Sequence, residues 1–433
     1  MTVAVVGFPR RSLLETAWTA CRPRVHSLAL HCCCPANQLA ASSLRTFRSS
    51  RKAPNAGISW SEALSKDQDI GKVIFSGIQP TGVPHLGNYL GALMNWVDMQ
   101  NAAAPEDTLL FSSVGFHALT MPQDPNVLRR DRRDMLAALL AIGMDPKRCT
   151  IFQQENVPQH AELAWIFNCI TSIGKLRRIT TWKSKVAIAR HAQNAASEAD
   201  ASTSEGELNL GLFAYPVLQA ADILLYKATH VPVGEDQVQH LELSRDIAHV
   251  FNRTHGTNLF PSPQHIITPT KRVLSLRDPS QKMSKSSPDP NSRILLTDTP
   301  QQVRKKLQRA VTDDERVLSY DPDARPGVSN LLGILAALRV RSNFAQGRNT
   351  PALSPGDIAD ELNKAKGGAA GAGTLKAEAT DAIVEALQPI QAELQRLEKE
   401  DGYLDTLARE GAKKAAEIAE HTMCQVRQCT GLA

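Results

Sequence analysis

The run from Val73 to Ile78 (VIFSGI) is apolar, and Gly77, Pro80, Gly82 and Pro84 then break the chain. A helical pattern opens at Leu86 and continues through Leu90, Leu93, Met94 and Val97. The run reads as a buried strand and the glycines and prolines as a turn. A strand that feeds a glycine turn and a helix N-terminus aims backbone N–H groups at a phosphate. Much further along, Lys282-Met283-Ser284-Lys285-Ser286 places two ammonium groups at i and i+3. Asp278-Pro279 and Pro288-Asp289-Pro290 flank it, so a long helix is excluded and a mobile loop is expected. Paired lysines on such a loop can close on a polyphosphate as charge develops there.

Between Val73 and about Leu296, strand-like runs alternate with helical patterns. Residues 109–114 and 150–152 read as strands, and residues 129–142 and 159–173 as helices. A further helix begins at residues 217–225. This rhythm predicts an α/β fold, a parallel sheet with helices on both faces. Residues 187–207, rich in alanine, serine and charge, read as a flexible insertion at the surface. From Pro300 onward the chain reads as helical, with candidates at 303–311, 329–338, 358–364, 375–397 and 415–426. Pro389 should kink or split the longest of these. The glycine-rich stretch 366–373 reads as a flexible hinge. Domains are thus expected at 70–296 and 297–433, after a leader.

The leader is set apart by charge. Residues 1–57 hold Arg10, Arg11, Arg22, Arg24, Arg45, Arg48, Arg51 and Lys52 against a single acid, Glu15. With frequent serines, and with Leu13, Leu14 and Trp18 suited to one helical face, this is the composition of a mitochondrial transit peptide. The whole chain of 433 residues carries only +5, so its basic excess lies in the leader. Any nucleic-acid surface beyond it must be a local patch. No run approaches the eighteen or so apolar residues of a membrane span, and no membrane partner is expected. Cys32-Cys33-Cys34 lacks paired metal spacing, and Cys149, Cys169, Cys424 and Cys429 are scattered, so no metal site is expected.

The two phosphate-directed segments, in this order, resemble the HIGH-type and KMSKS signatures of class I aminoacyl-tRNA synthetases. The resemblance is carried by FSGIQPTGVPHLGNYLGAL from Phe75, YPVLQAADILLYKATHVPVGEDQVQHLELSRD from Tyr215, SLRDPSQKMSKS from Ser275 and AVTDDERVLSYDPDARPGVSN from Ala310. It covers the chain from about Lys72 onward. Within the class it points to the tryptophanyl branch of bacterial and organellar type. The resemblance implies a Rossmann-type catalytic domain, an all-helical anticodon-binding domain, and a homodimer working in the mitochondrial matrix. It implies ATP, Mg²⁺ carried by the nucleotide, L-tryptophan and tRNA(Trp). The tryptophan carboxylate would attack the α-phosphorus and expel pyrophosphate, and a ribose hydroxyl of the tRNA would then take the acyl group. Neither step needs a protein nucleophile, so positioning and charge neutralisation should dominate.

The residues that match are as follows. His85, Asn88, Lys185, Lys282 and Lys285 would serve catalysis. Gln79, Pro80 and Thr81 resemble the turn that touches ATP, and Gly87 would let adenine lie against the backbone. Gly234, Glu235, Asp236 and Gln237 resemble the ribose loop. Val273 would offer a backbone contact to adenine, and Met283, Ser284 and Ser286 complete the lysine segment. Asp222, a carboxylate on a mostly apolar helix, should need a partner, which the indole N–H would supply. Phe75, Tyr215, Val231 and Val233 would form the pocket walls. Two positions depart from the family pattern, Gly115 in place of an aspartate and Thr181 in place of a glutamine. For RNA contact, Arg304, Lys305, Lys306 and Arg309 are the basic candidates. The alternatives are a tyrosine–tRNA ligase, which shares the fold, and a non-catalytic RNA-binding paralogue.

Overall fold

The computed structural model describes residues 71–179, 209–234, 237–267, 272–285, 287–345, 353–400 and 402–433. The leader and the insertion at 187–207 lie outside them. Everything below belongs to the compact unit that runs from Ala56 to Ala433.

Five strands form a parallel sheet: β1 (Val73–Ile78), β2 (Thr108–Ser113), β3 (Thr150–Gln153), β4 (His230–Val233) and β5 (Gln264–Ile267). Their spatial order is β3-β2-β1-β4-β5. Alternate residues of each strand serve opposite faces, as the pleat requires. Ile74, Leu109, Phe111 and Ile151 enter one apolar cluster, and Phe75, Leu110 and Phe152 enter the other. Both faces are therefore covered, the usual state of a parallel sheet.

After β1 the chain becomes helical through α1 (Leu86–Asn88), a π turn (Tyr89–Leu93) and α2 (Met94–Ala102). Then come α3 (Gly115–Ala118), α4 (Pro125–Ala141), α5 (Gln159–Ile170), α6 (Ile173–Arg178), α7 (Leu210–Leu224) and α8 (Val238–His255). Asp124 caps α4 by accepting from the backbone N–H groups of Asn126 and Val127, and Pro125 opens it. Among the described residues every named element beyond residue 297 is a helix: α9 (Pro300–Gln308), α10 (Pro326–Ala345), α11 (Pro355–Ala365), α12 (Gly371–Lys399) and α13 (Tyr403–Thr430). A Rossmann-type sheet followed by a helical region is the fold the sequence predicts. None of the described helices is long and apolar enough to cross a membrane.

Two local expectations need correction. Pro389 does not split its helix: α12 runs unbroken through it, with Leu375, Ile383, Leu387, Ile390 and Leu397 buried. Pro389 and Glu385 are both exposed, so the carbonyl that loses its N–H partner faces water, while the buried stripe packs against α9, α10 and α4. Of the stretch 366–373, read as a hinge, residues 366–368 are a hydrogen-bonded turn and residues 371–373 already belong to α12. Gly367 and Gly368 take φ of 74° and 110°, Gly368 N donates to Asn363 O at 2.8 Å, and Gly371 N donates to Arg316 O at 2.8 Å. The glycines are there for their left-handed backbone rather than for looseness.

The last helix covers an edge of the sheet. Leu404 and Leu407 of α13 join the first apolar cluster, and Ala412, Ala415, Ala419, Met423 and Val426 join the second. Between them, Gly411 sits against the edge strand β3: a Cβ there would stand 1.9 Å from the carbonyl oxygen of Ile151.

Candidate active site

The strand order reverses between β1 and β4, and a crevice opens beyond their carboxyl ends, where open α/β sheets bind ligands. Its volume is about 690 Å³, and both Asp222 and Lys282 line it.

His85 and Asn88 cap α1 reciprocally. Asn88 N donates to His85 Nδ1 at 3.1 Å, and His85 N donates to Asn88 Oδ1 at 3.2 Å. Accepting at Nδ1 places the proton of the neutral imidazole on Nε2. Burial first, then the charges of Lys285, Lys282 and Arg293, lower the His85 pKa to about 4. His85 is thus a neutral donor held at a helix start. Gly87 has no room for a side chain, since a Cβ would meet the His85 ring at 3.0 Å and Met283 Cβ at 3.4 Å.

The lysine segment is half of a hairpin. Met283 N donates to Val273 O at 3.0 Å, Ser275 N donates to Gln281 O at 2.9 Å, and Leu274 bridges Lys282. The side chain of Met283 is buried, which fixes the strand, while Lys282 reaches into the crevice. Lys285 Nζ donates to Thr81 O at 2.5 Å, closing the segment on the turn after β1. Burial is the main cause that lowers the Lys285 pKa to about 8, with Arg293 adding to it and Asp131 opposing it. Gln79, Pro80 and Thr81 lie on that turn, and Gly234 and Gln237 line the far wall.

Asp222 of α7 also lines the crevice and is 2% exposed. The sequence leaves it waiting for a substrate donor. That expectation is corrected: three side chains already donate to it. Gln154 Nε2 lies 2.6 Å and His160 Nδ1 2.7 Å from Oδ1, and His117 Nε2 lies 2.7 Å from Oδ2. His160 Nε2 is 2.8 Å from the Tyr226 hydroxyl, which closes the network behind. Burial by itself would raise the Asp222 pKa, but the hydrogen bonds and charges of His117 and His160 hold it at about 2. Phe75, Tyr215, Val231 and Val233 line the crevice beside this carboxylate, and the Tyr215 hydroxyl is 3.2 Å from His240 Nε2.

A family model for tRNA synthetases class I (W and Y) matches residues 71–388. The chain belongs to that family. The synthetase is 43% identical over 361 residues to the mitochondrial tryptophan–tRNA ligase of Schizosaccharomyces pombe, covering 83% of this chain and 95% of that one. It is 39% identical over 373 residues to the mitochondrial tryptophan–tRNA ligase of Saccharomyces cerevisiae, covering 86% and 93%. Among solved structures, the tryptophanyl-tRNA synthetase of Mycoplasma pneumoniae superposes with a TM-score of 0.69 at 30% identity, over 84% of this chain and 99% of that one. The Campylobacter jejuni enzyme complexed with ADP and tryptophan gives 0.64 at 27% identity, over 83% and 99%.

Of the site residues named from the sequence, Gln79, Lys282, Gly234, Gln237 and Asp222 line one crevice with Phe75, Tyr215, Val231 and Val233. His85, Asn88 and Lys285 are not among its lining, and they adjoin it through the Gly87–Met283 approach and the Lys285–Thr81 contact. Val273 lies in the strand paired with the lysine segment. Ser284 is described within that segment. Lys185, Glu235, Asp236, Ser286 and Thr181 lie outside the described residues. Gly115 has a local cause: its N–H donates to Glu155 Oε2 at 3.1 Å, and a Cβ would stand 2.2 Å from that oxygen. Glu155 is paired with Arg132 and fills the space that an aspartate at 115 would need. Of the basic candidates, Lys306 is tied to buried Asp298 at 2.5 Å, while Arg304, Lys305 and Arg309 are exposed. The sequence reading missed His117, Gln154, His160 and Tyr226. Their signal was polar residues inside otherwise apolar elements, such as His160 in QHAELAWIF.

Proposed function

We propose that the crevice activates L-tryptophan with ATP and passes it to tRNA(Trp), in support of mitochondrial translation. The chain is a tryptophan–tRNA ligase. Its relatives at 39–43% identity carry that name, and each is matched over more than nine-tenths of its length. The observation that carries the residue assignment is that one crevice is lined both by Asp222, a carboxylate fixed by three donors, and by Lys282. The lysine segment also packs on the His85 turn, with Gly87 close to Met283 and Lys285 on Thr81.

In this reading the indole N–H donates to Asp222, which lines the crevice and whose Oδ2 also accepts from His117. Phe75, Tyr215, Val231 and Val233 hold the indole, and the tryptophan carboxylate points toward the α1 turn. The adenosine lies along Gly87 and Val273, with its ribose at residues 234–237. Its phosphates run past His85 and Asn88 to Lys282 and Lys285. Mg²⁺ accompanies the nucleotide as a counter-ion to the phosphates. The tryptophan carboxylate attacks the α-phosphorus, and the lysines meet the charge that grows on departing pyrophosphate. Lys185 is assigned to the same work from its sequence match alone.

Residues 297–433 form the proposed anticodon-binding domain, with Arg304, Lys305 and Arg309 as its phosphate contacts. A homodimer is supported by large apolar side chains left in solvent on neighbouring elements: Trp165 of α5, Ile173 of α6 and Leu210 of α7. A matrix location is supported by the basic, acid-poor leader and by the mitochondrial names of the two fungal relatives.

Amino-acid-dependent ATP–pyrophosphate exchange tests the reading directly. Tryptophan should stimulate exchange, and tyrosine and phenylalanine should not. Exchange driven by tyrosine in preference to tryptophan would overturn it.

A further inference from the structure

In the lysine hairpin, residues 273 and 283 bond to each other, as do residues 275 and 281, and Leu274 faces Lys282 between them. In an antiparallel ladder this is a non-hydrogen-bonded pair, so the N–H and C=O of Leu274 point away from the lysine strand. A third strand would normally take them. Here a single side chain does. Leu274 N donates to Asn330 Oδ1 at 2.9 Å, and Asn330 Nδ2 donates to Leu274 O at 3.1 Å. Asn330 stands near the start of α10 and is 9% exposed, and its neighbours Val328, Leu331 and Leu332 are buried in the first apolar cluster.

We propose that Asn330 is a positioning residue for adenylate formation. Its carboxamide replaces a missing strand and sets where Leu274 lies relative to the helical region, and through that pairing where Lys282 stands. The proposal rests on the reading of Lys282 as a phosphate-side lysine. A carboxamide suits the task because it offers one donor and one acceptor in a plane, as a peptide group does. An aspartate would keep the acceptor but set a carboxylate oxygen against the Leu274 carbonyl.

The molecule contains its own control. Asn363 of α11 clamps Leu318 in the same two-bond manner, at 3.0 and 2.8 Å, in a loop that carries no site residue. Removing either clamp should cost stability, but only the Asn330 clamp leads to a lysine of the site.

The experiment is single-turnover adenylate formation with the full chain, in wild type and in Asn330→Ala, Asn330→Asp, Asn363→Ala, Lys282→Ala and Lys282→Ala/Asn330→Ala. Asn330→Ala should slow adenylate formation by roughly 10-fold to 10²-fold with the KM for tryptophan unchanged, the mark of a misplaced rather than a missing group. Asn330→Asp, which keeps the acceptor for Leu274 N but turns a carboxylate oxygen on the Leu274 carbonyl, should slow the step as well and serves if the alanine variant does not fold. On the Lys282→Ala background the Asn330 change should add about twofold or less, because coupled positions are not additive. Asn363→Ala should lower Tm and leave the rate alone. A full Asn330 effect without Lys282, or an equal rate loss in Asn363→Ala, would overturn the proposal. A wild-type rate in Lys282→Ala would instead overturn the reading of Lys282. Amide hydrogen exchange over residues 273–283, expected to speed up in Asn330→Ala, reports the clamp itself in either case, and unchanged exchange there would refute it.

Discussion

His160 Nδ1 lies 2.7 Å from Asp222 Oδ1, with both side chains buried and the far ring nitrogen of His160 against the Tyr226 hydroxyl. The Asp222 carboxylate, proposed above to select the substrate, therefore has its partners within the protein itself. A substrate that lacks an N–H donor does not strand a bare charge, because Gln154, His117 and His160 still donate to it.

This changes the size of the expected selectivity. The indole adds one hydrogen bond to a charged group, worth about 1.5–3 kcal/mol, or roughly 10-fold to 150-fold. Asp222→Ala should compress the tryptophan-to-phenylalanine ratio of kcat/KM by about that factor. An unchanged ratio would make Asp222 structural.

The same network sets an acid limit. The Asp222 pKa is depressed to about 2 from an unfolded value of about 4, so its contribution to stability is present above about pH 4 and is lost as pH falls toward 2. Wild type should exceed Asp222→Asn in Tm at pH 5 and above, and that gap should narrow between pH 4 and 2. Melting curves for the pair across this range check it.

His160→Ala should lower Tm, because it leaves Asp222 and Tyr226 short of a buried partner, at a cost of about 1–3 kcal/mol. It should also raise the KM for tryptophan by freeing the carboxylate to turn. Melting and steady-state kinetics on one preparation separate the two effects.

Burial above all lowers the Lys285 pKa to about 8, well below an ordinary lysine. Polyphosphate favours the charged form, so nucleotide binding and protonation are linked. The KM for ATP should rise as pH climbs above about 8. Lys285→Arg, which stays charged, should flatten that rise. A pH profile that is identical in both enzymes would refute the linkage.

Gly115→Ala should destabilise the fold by about 1–3 kcal/mol, since the new methyl meets the Glu155 carboxylate that Arg132 holds in place. Glu155→Ala in the same chain should recover part of the loss. Denaturant unfolding of the single and double variants measures it.

What was legible in the sequence was what repeats locally or stands as an intact string. The strand Val73–Ile78 appears with the bounds its apolar run predicts, and alternate residues of β1, β2 and β3 feed opposite apolar clusters. The lysine segment and the HIGH-type turn, distant in the chain, lie against each other, with Gly87 close to Met283 and Lys285 bonded to Thr81. What was not legible depends on tertiary placement. The donors to Asp222 come from α3, α5 and the turn after β3, and no local pattern marks their convergence. Asn330 reads as an unremarkable helix-start residue until Leu274 is placed beside it. Pro389 was misjudged because its loss of a hydrogen bond depends on which way the freed carbonyl faces, and that is decided by packing on the opposite side of the helix.

The place of Gly411 against the Ile151 carbonyl bears on how this chain is made. Synthesis runs from the N-terminus, so the sheet and every described residue of the crevice leave the ribosome before the helix Tyr403–Thr430 does. Until that helix docks, β3 presents an unpaired backbone edge to whatever nascent or newly imported chain is nearby. A premature stop shortly before Tyr403 would thus spare each of those active-site groups and still be costly to the cell, with insoluble protein as its first sign.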